Sequence, residues 1–107
     1  MTNSYATPVG TLLQTTDTVV FSASSETALT IRFSNVDTSS NRKLDVFCYT
    51  GSGPGGDVDR ITTPNFEIPP GGYLEMTPIY LKATYKIVAK TDINDKIVGF
   101  IMGIVTT

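Results

Sequence analysis

A chain of 107 residues, 40% apolar and 17% charged, has room for one domain with a working core and not for two. Its formal net charge is −2 and Arg42-Lys43 is the only adjacent basic pair, which disfavours phosphate neutralisation and so nucleic acid as a partner. Histidine is absent and Cys48 is the single cysteine, excluding a His/Cys zinc site within one chain and any His-based catalytic pair.

Residues 1–9 are polar and end in Thr7-Pro8-Val9, so a flexible or extended arm is expected there, ahead of a β-domain over 10–107. The arm lacks a basic start followed by an apolar run, and no signal peptide is expected. Thr11–Gln14 reads as a short strand, turned by Thr15-Thr16-Asp17 into Thr18–Ala23, in which Val19, Phe21 and Ala23 share a face. Ser24-Ser25-Glu26 reads as a turn. Leu29, Ile31 and Phe33 then alternate with Thr30, Arg32 and Ser34 and predict a half-buried strand.

Asn35–Asn41 is a polar turn region. After it Leu44, Val46 and Cys48 point one way and Asp45, Phe47 and Tyr49 the other. Cys48 is expected to act as a small buried hydrophobe. The run Gly51–Asp57 cannot pack or ladder and predicts a long exposed, mobile loop. Arg60-Ile61-Thr62 reads as a short strand leading to Phe66-Glu67-Ile68. In Pro69-Pro70-Gly71-Gly72, Pro70 suits the second position of a type II turn and Gly71 the third, where positive φ is needed. Tyr73–Met76 and Ile79–Leu81 follow, separated by Thr77-Pro78. Tyr85, Ile87 and Ala89 alternate with Lys86, Val88 and Lys90, and Asn94-Asp95 turns the chain into the closing strand Lys96–Thr107.

Both faces of that strand are apolar: Val98, Phe100, Met102 and Ile104 on one, Ile97, Ile101 and Val105 on the other, the latter spaced by Gly99 and Gly103. Such a strand is covered from two directions, or has its outer face closed by another chain. Its apolar run is too short to span a bilayer, so no membrane partner is expected. With no sustained 3.6-residue period and about eight short strands, the pattern predicts an all-β chain folded as a single antiparallel β-sandwich of Ig-like or jelly-roll topology.

Four candidate sites follow. Gly55-Gly56-Asp57-Val58-Asp59 resembles calcium-repeat spacing, but one copy lacks ligands without help from Asp92 or Asp95, so a solvated turn and no metal or cofactor are expected. Glu26, Asp45, Glu67 and Glu75 each sit in a turn or alternate with apolar residues and are expected to face water, leaving no acid/base pair and no catalytic residue. Phe47, Tyr49 and Tyr80, with Pro54 and Asp57 of the Gly-rich loop, are candidate contacts for a partner or a host glycan. The alternative is that these rings cover a neighbouring strand, loop or subunit. Ile97, Gly99, Ile101, Gly103 and Val105 form a candidate self-association face, flattened by its glycines, unless the chain's own loops cover it.

The order of elements resembles a group of small all-β proteins encoded in tailed-bacteriophage structural modules. The likeness is carried by Leu29-Thr-Ile-Arg-Phe-Ser-Asn-Val36, by Leu44-Asp-Val-Phe-Cys-Tyr49 running into Ser52-Gly-Pro-Gly-Gly56, and by Asp59-Arg60. It continues through Phe66-Glu-Ile-Pro-Pro-Gly-Gly72, Tyr73-Leu-Glu75 and Ile79-Tyr-Leu81. It covers nearly all of the chain after Val9 and is one of layout, without a catalytic signature. Where those proteins have an Ala-Gly-Asp turn before the penultimate strand, this chain has Lys82-Ala-Thr-Tyr85. The resemblance implies a non-enzymatic virion protein, assembled in the host cytoplasm. It would pack as a homo-oligomer on the head or tail, beside major capsid or tail proteins.

Overall fold

The structure, a computed structural model, describes residues 3–51 and 59–106, with side chains over 9–51 and 59–103. Eight strands follow one another: β1 (Asn3–Leu12), β2 (Thr18–Ser22), β3 (Glu26–Asn35), β4 (Arg42–Thr50), β5 (Phe66–Ile68), β6 (Tyr73–Leu81), β7 (Tyr85–Thr91) and β8 (Ile97–Thr106). They form two four-stranded antiparallel sheets, β1-β8-β3-β6 and β2-β7-β4-β5. β1 pairs with β8, β2 with β7, β3 with β6 and β4 with β5. This is one long antiparallel ribbon rolled up on itself, the jelly-roll arrangement. Only β4 and β5 are consecutive strands of the same sheet; every other connection crosses the sandwich.

The core sits between the sheets. Leu29, Ile31 and Phe33 project into it from β3, Leu44 and Val46 from β4, Ile87 and Ala89 from β7, and Ile97 and Ile101 from β8. The β3 and β4 inward faces are those that the alternation predicts. At β2 the expectation holds for Phe21 and Ala23, which pack on the core, and fails for Val19. The β2–β7 register shifts between Val19 and Phe21, so Val20 turns inward while Val19 is left exposed, because an irregularity of one residue sets the side chains on its two sides on opposite faces.

Residues 3–9, expected as an arm, form most of β1 and pair along β8. Segments 73–76 and 79–81, expected apart, belong to one strand, β6, whose register with β3 shifts between Leu29 and Ile31. Pro78 is tolerated there because β6 lies at the sheet edge. The Pro69–Gly72 turn forms as expected, with Gly71 at φ +70° and the Gly72 amide donating to the Pro69 carbonyl at 2.9 Å. It does not close a hairpin, since it carries the chain from β5 in one sheet to β6 in the other. Among the described residues no helix is long and apolar enough to cross a membrane.

Candidate interaction surface

The two outer faces of the sandwich are finished differently. On the β2-β7-β4-β5 side, Phe47, Tyr49 and Val88 form a small buried cluster of their own. The segment after the Gly-rich loop closes it. The Ile61 amide donates to the Val46 carbonyl at 2.8 Å, and Thr62 Oγ1 accepts from the Val46 amide at 3.2 Å. Arg60 pairs with Asp45, and its guanidinium lies 4.8 Å from the Phe47 ring centre, while the Lys86 ammonium lies 5.0 Å from that of Tyr49. Stacked cations shield the ring faces and are held there by the ring quadrupole. Burial also pushes the Tyr49 hydroxyl above its ordinary pKa, with smaller contributions from Asp17 and Asp59.

Of the two readings open for Phe47 and Tyr49, the structure selects the second: they are 4% and 7% exposed, offer no stacking platform for a sugar and cover their own sheet. One expectation is corrected. Asp45, expected to face water, is buried and accepts from the Asn65 amide at 3.0 Å besides pairing with Arg60. A buried carboxylate is tolerable only when so partnered. Glu26, Glu67 and Glu75 are exposed. Tyr80 is 75% exposed on β6. Arg60 meets β4 in a single bridge to Phe47 rather than within a strand. Pro54 and Asp57, with most of the Gly-rich loop, lie outside the described residues. Among the described residues no three His, Cys, Asp or Glu side chains are grouped to hold a metal ion. Cys48 is half-buried against the core, and burial, with the Asp59 charge, pushes its thiol up.

The outer face of β1-β8-β3-β6 is open. The register sets Phe100 beside Arg32 and Arg32 beside Glu75, with Val98 beside Leu12 on one flank and Ser34 on the other. Leu12, Val36, Tyr73, Phe100 and Met102 are all exposed there, Phe100 at 40% and Met102 at 49%. A groove of about 500 Å³ runs between Val36, Val98, Phe100 and Met102, with Arg32 and Glu75 along its side. Arg32 Nη2 meets Glu75 Oε1 at 3.0 Å, and its guanidinium lies 4.4 Å from the Tyr73 ring centre. Local charge is therefore neutral, and the groove around it combines the apolar Val36, Val98, Phe100 and Met102 with Thr30 and Ser34.

The candidate self-association face is the wrong side of β8. Ile97 and Ile101 are fully buried in the chain's own core and are not available to a second chain. Gly99, between them, and Gly103, beyond Ile101, do admit a close approach, but by the chain's own residues. A Cβ on Gly99 would lie 3.1 Å from the Phe33 ring and 3.2 Å from Val20, and one on Gly103 would lie 2.7 Å from the Ala28 carbonyl oxygen. The side chain of Val105 lies outside the described side chains. The residues that remain open are Phe100 and Met102 of the opposite register. One signal in the sequence points that way: glycines concentrate on the strand face packed most tightly, and the tightest packing is inside.

No protein-family model, no curated protein and no solved structure matches this chain.

Proposed function

We propose that this chain is a non-enzymatic structural protein of a tailed-bacteriophage virion, a capsid decoration or cement protein or a head- or tail-attached one, that assembles as a multimer. One observation carries the reading: the chain covers Phe47 and Tyr49 on one outer face of its sandwich with its own residues and leaves Val36, Phe100 and Met102 exposed on the other. Burying Phe100, Met102 and Val36 against another protein would contribute roughly 1.5–3 kcal/mol for each side chain fully covered, less the cost of joining two bodies. The ordered resemblance from Leu29 to Leu81 supplies the kind of particle. A jelly roll suits such a role because rolling the ribbon up leaves few edges open to uncontrolled strand pairing.

The test is mass spectrometry of density-gradient-purified particles from cells carrying the gene with its natural neighbours. A virion protein is expected to co-purify with the particles at a fixed ratio to their major subunit. Its absence from intact, infectious particles overturns the reading.

A further inference from the structure

We propose that residues 60–65 act as a latched strap on β4, opening as a unit while the sandwich stays folded, with Asp45 as the latch; the open strap uncovers Phe47 and the outer edge of β4.

β5 pairs only with Arg42–Leu44 of the nine-residue β4. Beyond Leu44 the strap takes the place of a neighbouring strand. The Ile61 amide and Thr62 Oγ1 occupy both backbone groups of Val46, which would otherwise stand open for pairing with another chain. Thr62 Oγ1 also donates to the Leu44 carbonyl at 3.5 Å. Among the described residues, every hydrogen bond of 61–65 goes to β4, so the strap is fastened to a single strand.

Its latch is a single atom. Asp45 Oδ1 accepts from the Arg60 guanidinium at the start of the strap and from the Asn65 amide, at 3.0 Å, at its end. Bonds to a charged acceptor are the strong ones, and one oxygen held from both ends couples their release. Little apolar burial backs the latch. Within 61–65 only Thr62 is buried, and Ile61 is 41% exposed. A cleft of about 330 Å³ lined by Ile61, Thr62, Thr63, Phe66, Leu74 and Met76 leaves packing beside the strap incomplete. The Phe47 ring that Arg60 covers belongs to a cluster separate from the main core, so that core stays packed when the strap lifts. A segment with so few buried apolar contacts opens locally, at a lower free energy than global unfolding.

The experiment is native-state amide hydrogen exchange, read residue by residue by NMR on the whole chain, in water and in urea below the unfolding transition. The amides of Val46, Ile61 and Asn65 are expected to exchange through one shared opening, at least about tenfold more populated than that of the β3–β8 ladder. Urea is expected to speed the ladder strongly and these three amides little, since lifting the strap exposes little surface. Asp45→Asn is expected to speed all three about tenfold or more. Ile31→Val, a core change away from the strap, is expected to speed the ladder and leave the three unchanged, because it weakens the open and closed forms alike. Thr62→Val leaves the bonds of Ile61 and Asn65 intact, yet is expected to speed both about fivefold, the loss of one ordinary hydrogen bond from the shared opening. It reads the latch as well should Asp45→Asn not fold, which circular dichroism checks. Three amides that match the ladder in rate and in urea dependence make strap and sandwich one unit and overturn the proposal. So does an effect of Asp45→Asn or Thr62→Val confined to the amide beside the change, since the two ends then open separately.

Discussion

Asn35 donates from Nδ2 to the Ile68 carbonyl at 2.9 Å, tying the last residue of β3 in one sheet to the last residue of β5 in the other. The same nitrogen donates to the Ser40 carbonyl at 3.0 Å, and Oδ1 accepts from the Asp37 amide at 2.9 Å. The Asn35 backbone is held as well, its amide donating to the Gly72 carbonyl at 3.0 Å and its carbonyl accepting from Gly71 at 3.2 Å. A side chain that is 2% exposed thus fastens the corner at which the chain changes sheets.

Asn35→Ala is expected to destabilise the fold by about 1–3 kcal/mol, because it removes the side-chain bonds to the Ile68 and Ser40 carbonyls and leaves the Asp37 amide without the Asn35 acceptor. Urea unfolding monitored by circular dichroism reads this as a lower midpoint at unchanged slope. A midpoint equal to that of the native chain would show that water replaces the amide at no cost.

Asp37 continues this corner. The Ser39 amide, donating at 2.9 Å, and then the Arg42 guanidinium, at 2.7 Å, hold its carboxyl well below the usual carboxylate range. A carboxylate whose pKa is lowered on folding stabilises the fold fully above its unfolded pKa, about 3.9, and loses that contribution as pH falls toward its folded value. Asp37→Asn is therefore expected to be less stable than the native chain at pH 7, with the gap narrowing progressively below about pH 4. Urea midpoints from pH 7 to pH 2 check this, and a gap constant across that range would remove Asp37 from the acid limb.

The two faces of β8 are separable by one pair of substitutions. Ile101→Lys places an ammonium in the core beside its buried neighbours and is expected to abolish the cooperative unfolding transition at 25 °C, since an unpaired buried charge costs several kcal/mol against a total on the order of 5–15 kcal/mol. Met102→Lys, one residue on and half-exposed, is expected to keep the native circular dichroism spectrum and to move the melting temperature by only a few degrees. Equal damage from both would mean that the open face is internal.

Thr84 adopts φ +75° in the turn between β6 and β7. A β-branched residue is strained there by about 1–2 kcal/mol, and its hydroxyl recovers part of this through Thr50 Oγ1 at 3.0 Å on the exposed surface. Thr84→Gly is expected to raise stability by about 0.5–1 kcal/mol, the net of relieved strain and the extra freedom of glycine when unfolded. A lower melting temperature would show that the Thr50 contact outweighs the strain.

Alternation along the chain determined the all-β class, the inward faces of β3 and β4 and the existence of a two-faced β8, because side-chain direction at period two is a local property of an extended backbone. The Pro69–Gly72 turn was legible for the same reason, since proline and glycine restrict φ whatever surrounds them. Local pattern has no preference between the two sides of a sheet, so it could not tell that Ile97 and Ile101 line the core while Phe100 and Met102 face out, nor that Phe47 and Tyr49 are covered by Arg60 and Lys86. Asn35 and Asp37 read as turn residues for a like reason: a polar side chain looks the same whether it meets water or a buried carbonyl. Those assignments rest on which strands pair and in what register, and pairings such as Asn3 with Thr106 join the ends of the chain, where only the free energy of the whole rolled ribbon decides.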